Sequence, residues 1–308
     1  MEFAQTPTGL TVVRAQIEQW ERDRLSSYAT LSADSKGRPV PEPPDDLRPE
    51  FQRDRDRVIH TNSFRRLKHK TQVFIAPIGD HFVTRLTHTL EVTQIARTIA
   101  RSLRLNEDLA EAAALGHDVG HTPFGHVGEQ VLDGLSPEGF RHNEQSLRTV
   151  DALEKDGAGL NLTYETRQAI LHHSKPRGDF LSAGELDELT LEAQVVRVSD
   201  AIAYLAHDIG DAIRAGVLDE SDLPVDAREI LGTRHSQRLD AMVRDVVSAS
   251  WDVAGHQLQE SEGRPRLTMS PEVTKVVTDL REFMFDHVYV PAGRGPEGQN
   301  ARVVIEFL

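Results

Sequence analysis

The chain contains no cysteine in its 308 residues. That absence excludes a disulfide framework, Cys-ligated zinc, iron–sulfur clusters and a thiolate nucleophile, so any metal must be held by His, Asp and Glu. Aromatic residues are sparse at 6%, and no stretch approaches the roughly 20 uninterrupted apolar residues of a membrane-spanning helix. A basic-then-apolar leader is also missing at the amino terminus, and the expected location is cytoplasmic with no membrane partner. Positive charge is in short supply: 35 basic residues face 49 acidic ones, a formal net charge of -14. Such a balance argues against a protein that coats nucleic acid through its overall field. Internal repeats and low-complexity tracts are lacking too, which sets aside solenoids and coiled coils.

What remains is a composition of ordinary globular kind, 38% apolar and 27% charged, enough for one large domain or two modest ones. The apolar spacing is helical. Val92, Ile95, Ala96, Ile99 and Leu103 form one stripe at 3.6 residues per turn. Asn106 reads as a helix cap ahead of the alanine-rich run Ala110 to Leu115, which carries little polar surface and is expected to be buried. Further helices are expected at Thr11 to Tyr28, Val127 to Leu135, Asn143 to Leu153, Thr163 to His173 and Glu192 to Ala215, with others after Asp226. Period-2 strands are nearly absent, and the expected fold is an all-α helical bundle. Residues 35–44 carry four prolines and read as an exposed connector; Pro291 to Asn300 reads as a second loop. The expected division is 1–50 for the opening helix and connector, 51–215 for the functional core and 216–308 for a C-terminal helical region.

Local charge departs from the average. Between Phe51 and Lys70 seven basic residues (Arg53, Arg55, Arg57, Arg65, Arg66, Lys68, Lys70) face two acids (Asp54, Asp56), a net +5. Either an anion sits nearby or the charges are paired off on a solvated face.

Histidine carries the chemistry. Of 14 histidines, six fall at positions 81, 88, 117, 121, 126 and 142. The chain has two His-Asp pairs, His117-Asp118 and His207-Asp208. His88 shares the apolar stripe of its helix, His117 and Asp118 end the alanine-rich helix, and Asp200 interrupts an apolar run on a face with Val196 and Ala203. Buried acids need compensating positive charge. One divalent cation held by His88, His117, Asp118 and Asp200 supplies it and leaves open positions for substrate oxygen. Mixed nitrogen and oxygen ligands favour Mn, Fe, Co, Ni or Zn; Mg stays open through its availability. His126 and Glu129, three apart at a helix start, share a face where the carboxylate orients the imidazole. Asp200, Tyr204, His207 and Asp211 recur along one side of a helix, which puts a ring beside the cation.

These residues in this order resemble the HD-domain phosphohydrolases. The string His117-Asp118-Val119-Gly120-His121-Thr122-Pro123-Phe124-Gly125-His126 is similar to the dNTP triphosphohydrolase branch, as are the strings beginning at Phe51, Phe64 and Thr84. The resemblance covers about residues 10 to 290. It implies hydrolysis of dGTP or several dNTPs at the α-phosphate to deoxynucleoside and triphosphate, with His126 and Glu129 as the catalytic pair. It also implies that Gln72 and Val73 crowd the 2′ position, that Arg85, His121 and His142 contact phosphate, and that Tyr204 and Asp208 lie near the sugar and its 3′-hydroxyl. A homo-oligomer, tetramer or hexamer, and in some members a dNTP activator at a second site belong to the same expectation. Ala201 departs from the vertebrate relative, which has lysine there, so one phosphate contact must come from elsewhere or be lost. The chain also looks short at its carboxyl end beside such relatives.

The residue types suit the reaction without the resemblance: a cation and Arg85 to neutralise phosphate oxygens, a water in line, and His126 as proton donor to the leaving oxygen. Two rival readings stand beside it. One is an HD-domain phosphohydrolase acting on another nucleotide; the other is a nucleotide- or single-strand-binding regulatory oligomer with little turnover.

Overall fold

The computed structural model describes residues 11–74, 82–174, 188–255 and 265–308. Among these residues the protein is built of helices and has no strand, only an isolated antiparallel bridge between Thr71 and Thr84. No helix among them is long and apolar enough to cross a membrane.

In chain order α1 (Thr11–Arg24) is followed by a non-helical segment, then α2 (Glu50–Ile59) and α3 (Asn62–Arg66). Next come α4 (Arg85–Ser102) and α5 (Glu107–Gly116), which with the later α9 (Leu191–Arg214) form the centre. Val92, Ile95 and Ile99 of α4, Ala110, Ala113 and Ala114 of α5, and Val195, Val198 and Ile202 of α9 are buried in one cluster. Alanine decides the geometry: with methyl groups on its faces, α5 is packed closely against α2, α4 and α9, and only its acidic residues Glu107, Asp108 and Glu111 stay partly exposed. Each of these helices starts on a side chain that accepts from an orphan backbone N–H, Thr84 from Thr87, Asn106 from Leu109 and Thr190 from Ala193.

Around this centre lie α6 (Gly125–Leu135), α7 (His142–Arg148), α8 (Tyr164–Leu171), α10 (Val225–Ile230), α11 (His235–Ala249), α12 (Pro271–Met284), α13 (Val290–Arg294) and α14 (Pro296–Phe307). A π-type turn, Thr149–Leu153, extends α7 to the expected length. α14 packs on α6: the Arg302 guanidinium donates to Gln130 Oε1 at 2.9 Å. Gly128 leaves the room, since a Cβ there would stand 3.2 Å from Ile305 Cδ1 and 2.1 Å from the Pro123 carbonyl.

Two expectations are corrected. α1 stops at Arg24 rather than Tyr28, because the Ser26 N–H is drawn away to the Arg104 carbonyl at 2.7 Å and the Ser26 hydroxyl to the Val253 carbonyl at 2.5 Å. The proline-rich segment is non-helical and mostly exposed, as expected, and it is also pinned to the core. Arg38 within it reaches Glu50 and buried Asp54, and the Ser35 hydroxyl and Lys36 N–H donate to Glu165. Pro291 to Asn300 is not a loop but spans most of α13 and the first five residues of α14. Pro291 and Pro296 each occupy the first turn of a helix, where the missing N–H would have had no partner. The first part of the basic stretch is neutralised in place, with Arg53 and Arg57 on Glu42 and Arg55 on Asp56 and Glu111.

Gly120 fixes the distance between the turn after α5 and α7. A Cβ there would lie 2.2 Å from Ser146 N and 2.3 Å from the Gln145 carbonyl carbon, both rigid backbone atoms of α7. Gly120→Ala is therefore expected to lower stability by at least about 2 kcal/mol, read as a fall in the denaturant midpoint at unchanged slope.

Candidate metal centre and active site

Three helices bring the predicted ligands together. His88 lies on the buried face of α4, one turn before Val92. His117 caps the C-terminal end of α5 with helical backbone angles, Asp118 follows it in the turn, and Asp200 projects from the middle of α9. Nitrogens and carboxylate oxygens of His88, His117 and Asp118 all lie within 4.8 Å of one another. Asp200 Oδ1 stands 3.2 Å from His88 Nε2 and 3.9 Å from His117 Nε2, and Asp118 Oδ2 lies 3.7 Å from His117 Nε2.

The donor set fits a divalent cation. His117 Nδ1 is 2.7 Å from the Ala114 carbonyl, which fixes its proton there and turns Nε2 toward the carboxylates. That Nε2 is buried and has no hydrogen-bond partner among the described residues, the condition expected of a nitrogen reserved for a metal. Burial would raise the Asp118 carboxyl, but the Arg85 guanidinium, 2.5 Å away, and His117 outweigh it and hold it well below the usual carboxylate range. Burial likewise pushes the His88 imidazole down to about 4, leaving it neutral and able to ligate.

Beside the centre lies a second cluster organised by one carboxylate. Glu129 of α6 is 3.1 Å from His126 Nδ1 through one oxygen; the other accepts from the His142 N–H at 2.8 Å and lies 2.8 Å from His142 Nδ1. Burial works against its charge, yet the bonds to His126 and His142 prevail and keep Glu129 well below the usual range. His142 is also opposed by burial, and Glu129 and Asp118 carry it above the ordinary imidazole value. His121, stacked on His142 with ring centroids 4.8 Å apart, is forced well below it by burial and by Arg85. α6 enters this arrangement through Phe124 and Gly125, both at left-handed φ (62° and 58°). Gly125 is required here, because a Cβ would lie 2.7 Å from the Gln72 carbonyl.

A pocket of about 140 Å³ opens over both clusters. Gln72, Arg85, His88, Asp118, His121, His126, His142, Asp200 and Tyr204 are on its wall. Val73 and Asp208 are not: Val73 packs on the main core, and Asp208 is fully buried, 2.8 Å from His207. His81 lies outside the described residues. Three wall residues escaped the sequence reading. His173 meets His142 Nε2 at 3.1 Å and lines the pocket with Ser174 and with Arg281 of α12. Lys70 donates to the His121 carbonyl at 2.5 Å, and burial followed by Arg85 pushes its amine down to about 8. Only the His172-His173 doublet and the basic run ending at Lys70 gave a local signal; Arg281 gave none.

Two imidazoles and two carboxylates gathered by helices of an all-α core define the class, a metal-dependent HD-domain phosphohydrolase, and the HD domain family matches residues 85–205. Over 296 residues the chain is 53% identical to a protein of Caldanaerobacter subterraneus subsp. tengcongensis, covering 96% of this chain and 81% of that one. It is 53% identical over 279 residues to one of Desulfatibacillum aliphaticivorans, 90% of this chain and 77% of that one, and 49% identical over 294 residues to one of Clostridium perfringens, 96% and 83%. All three are described as deoxyguanosinetriphosphate triphosphohydrolase-like proteins. The chain belongs to this branch of the HD-domain family.

Asp200→Ala is expected to abolish Mn²⁺ binding in calorimetry, while the metal-free protein keeps its unfolding temperature, since one of two crowded acids is removed. Glu129→Gln is expected to move the His142 titration to lower pH than in the wild type, measured by NMR of the imidazole protons. The sign follows because the hydrogen bond and charge that favour imidazolium are lost while the burial that disfavours it remains.

Proposed function

We propose that the protein hydrolyses a deoxynucleoside triphosphate to deoxynucleoside and intact triphosphate. The observation that carries this reading is the meeting, at one pocket, of a four-residue metal centre with the His126–Glu129–His142 cluster and with Arg85 and Arg281, while Lys70 braces the His121 main chain behind the wall. A polyphosphate is the substrate class that needs so many cations at one rim. The relatives' description supports dGTP as the first substrate to try.

A divalent cation held by His88, His117, Asp118 and Asp200 would supply charge neutralisation at the α-phosphate. The remaining work falls to the chain. Arg85, fixed by Asp118, faces the same phosphate oxygens with a preset geometry. Burial and Arg85 push His121 toward the neutral form, whereas Glu129 and Asp118 shift stacked His142 toward the cationic one, so the two rings present different characters to the phosphates. His126, whose Nδ1 is held by Glu129, has Nε2 left to give a proton to the 5′-oxygen as the P–O5′ bond breaks and the P–O bond from water forms. Tyr204 provides a ring against the sugar, and buried Gln72 closes the space that a 2′-hydroxyl would occupy. Ala201 on the wall carries no charge, and Arg281 on the same wall supports a phosphate contact arriving from α12.

Purified protein incubated with each dNTP and Mn²⁺ is expected to release deoxynucleoside and triphosphate in equal amounts. Pyrophosphate or orthophosphate as the first product overturns the reading, as does turnover of monophosphates alone. His126→Ala is expected to keep Mn²⁺ affinity while kcat falls about 10²- to 10⁴-fold, the usual worth of one general acid.

A further inference from the structure

The second His-Asp pair of the sequence, His207-Asp208, is used by none of the steps above. His207 lies seven residues beyond Asp200 on α9 and therefore on the same helix face. It is 1% exposed and absent from the pocket wall, so it meets neither water nor substrate. Its Nε2 stands 2.8 Å from Nδ1 of His88, with the rings edge-on at 83°. On its other side Nδ1 is 2.8 Å from Asp208 Oδ1.

We propose that His207 is a positioning residue for the metal centre: it accepts the Nδ1 proton of His88 and so fixes the tautomer in which His88 Nε2 is a free ligand. The order of protons leaves no alternative for two neutral rings. If His88 presents an Nε2 lone pair to the cation, its proton is on Nδ1 and must be accepted 2.8 Å away by His207 Nε2. The His207 proton then sits on Nδ1, 2.8 Å from Asp208 Oδ1, a close charge contact without hydrogen-bond alignment. The opposite tautomer of His207 would set two N–H groups against each other. Because His88 is itself 1% exposed, no solvent molecule replaces the lost acceptor.

The two histidine ligands are thus anchored by different means. His117 is oriented by a main-chain carbonyl, which no substitution removes, whereas His88 depends on a side chain.

The inference rests on the proposed metal centre, so its test keeps the two apart. Metal-free wild type, Asp200→Ala, His207→Phe and His207→Gln are titrated with Mn²⁺ by calorimetry, and each is checked by thermal unfolding without metal. His207→Phe is expected to weaken Mn²⁺ binding about 10- to 100-fold, and His207→Gln, whose amide oxygen can accept from His88, to recover most of it. A His207→Phe protein that binds Mn²⁺ like the wild type overturns the proposal while leaving the centre intact. Wild type that binds no better than Asp200→Ala overturns the centre itself. Independently of any variant, ¹⁵N-histidine NMR of the Zn²⁺-loaded wild type is expected to find both His88 and His207 protonated at Nδ1; a proton on Nε2 of either ring overturns the proposal.

Discussion

Asp118 sits 3% exposed against Arg85 and within 3.7 Å of His117, and a carboxylate so placed beside an alanine-rich helix persists only where positive charge surrounds it. The architecture follows from that demand. α5 must be thin enough to bring its end into the interior, which its alanines allow. α4 and α9 must cross it where each presents a polar side chain within an apolar face, His88 on one and Asp200 on the other. Without a cation the protein meets the demand in part with Arg85. The same guanidinium then stands where a phosphate would arrive, so one group serves both the resting charge balance and the proposed reaction.

Glu129 plays the corresponding part for the histidines. A single carboxylate holds two imidazoles from different helices, His126 on its own α6 and His142 at the start of α7. Neighbouring rings thereby sit in opposite environments: His142, bonded to Glu129, is favoured as a cation, and His121, stacked upon it, is favoured as a neutral ring because burial and Arg85 outweigh the nearby Asp118. Environments pushed apart in this way are how one pocket divides donor and charge-stabilising roles among chemically identical side chains.

The sequence disclosed the helices of the centre because their constraint is periodic. The stripe Val92, Ile95, Ile99 and the run Ala110 to Leu115 must face the core at every turn, and polar interruptions at His88, Asp118 and Asp200 stand out against it. It concealed whatever depends on contact between distant segments. Arg281 reaches the pocket from α12 with no local pattern to mark it, and His173 looks like any histidine after a short helix until His142 is placed opposite it. Pro291 and Pro296 misled for a different reason: proline at the first turn of a helix and proline in a loop leave the same trace in a sequence. The Glu129–His142 bond lay hidden behind the simpler Glu129–His126 spacing.

α6 carries the proposed proton donor, yet its inner side is seated on α14, through Ile305 against Gly128 and Arg302 on Gln130. Those props belong to a helix that touches no ligand of the centre. Fraying of α14 would let His126 drift while the cation cage stayed whole, yielding a protein that loads metal and captures nucleotide but seldom completes a cycle. Mechanical support for the proposed acid is thus located more than 170 positions downstream of it, and changes there would be felt as slackness in timing, with the inventory of bound groups unaltered.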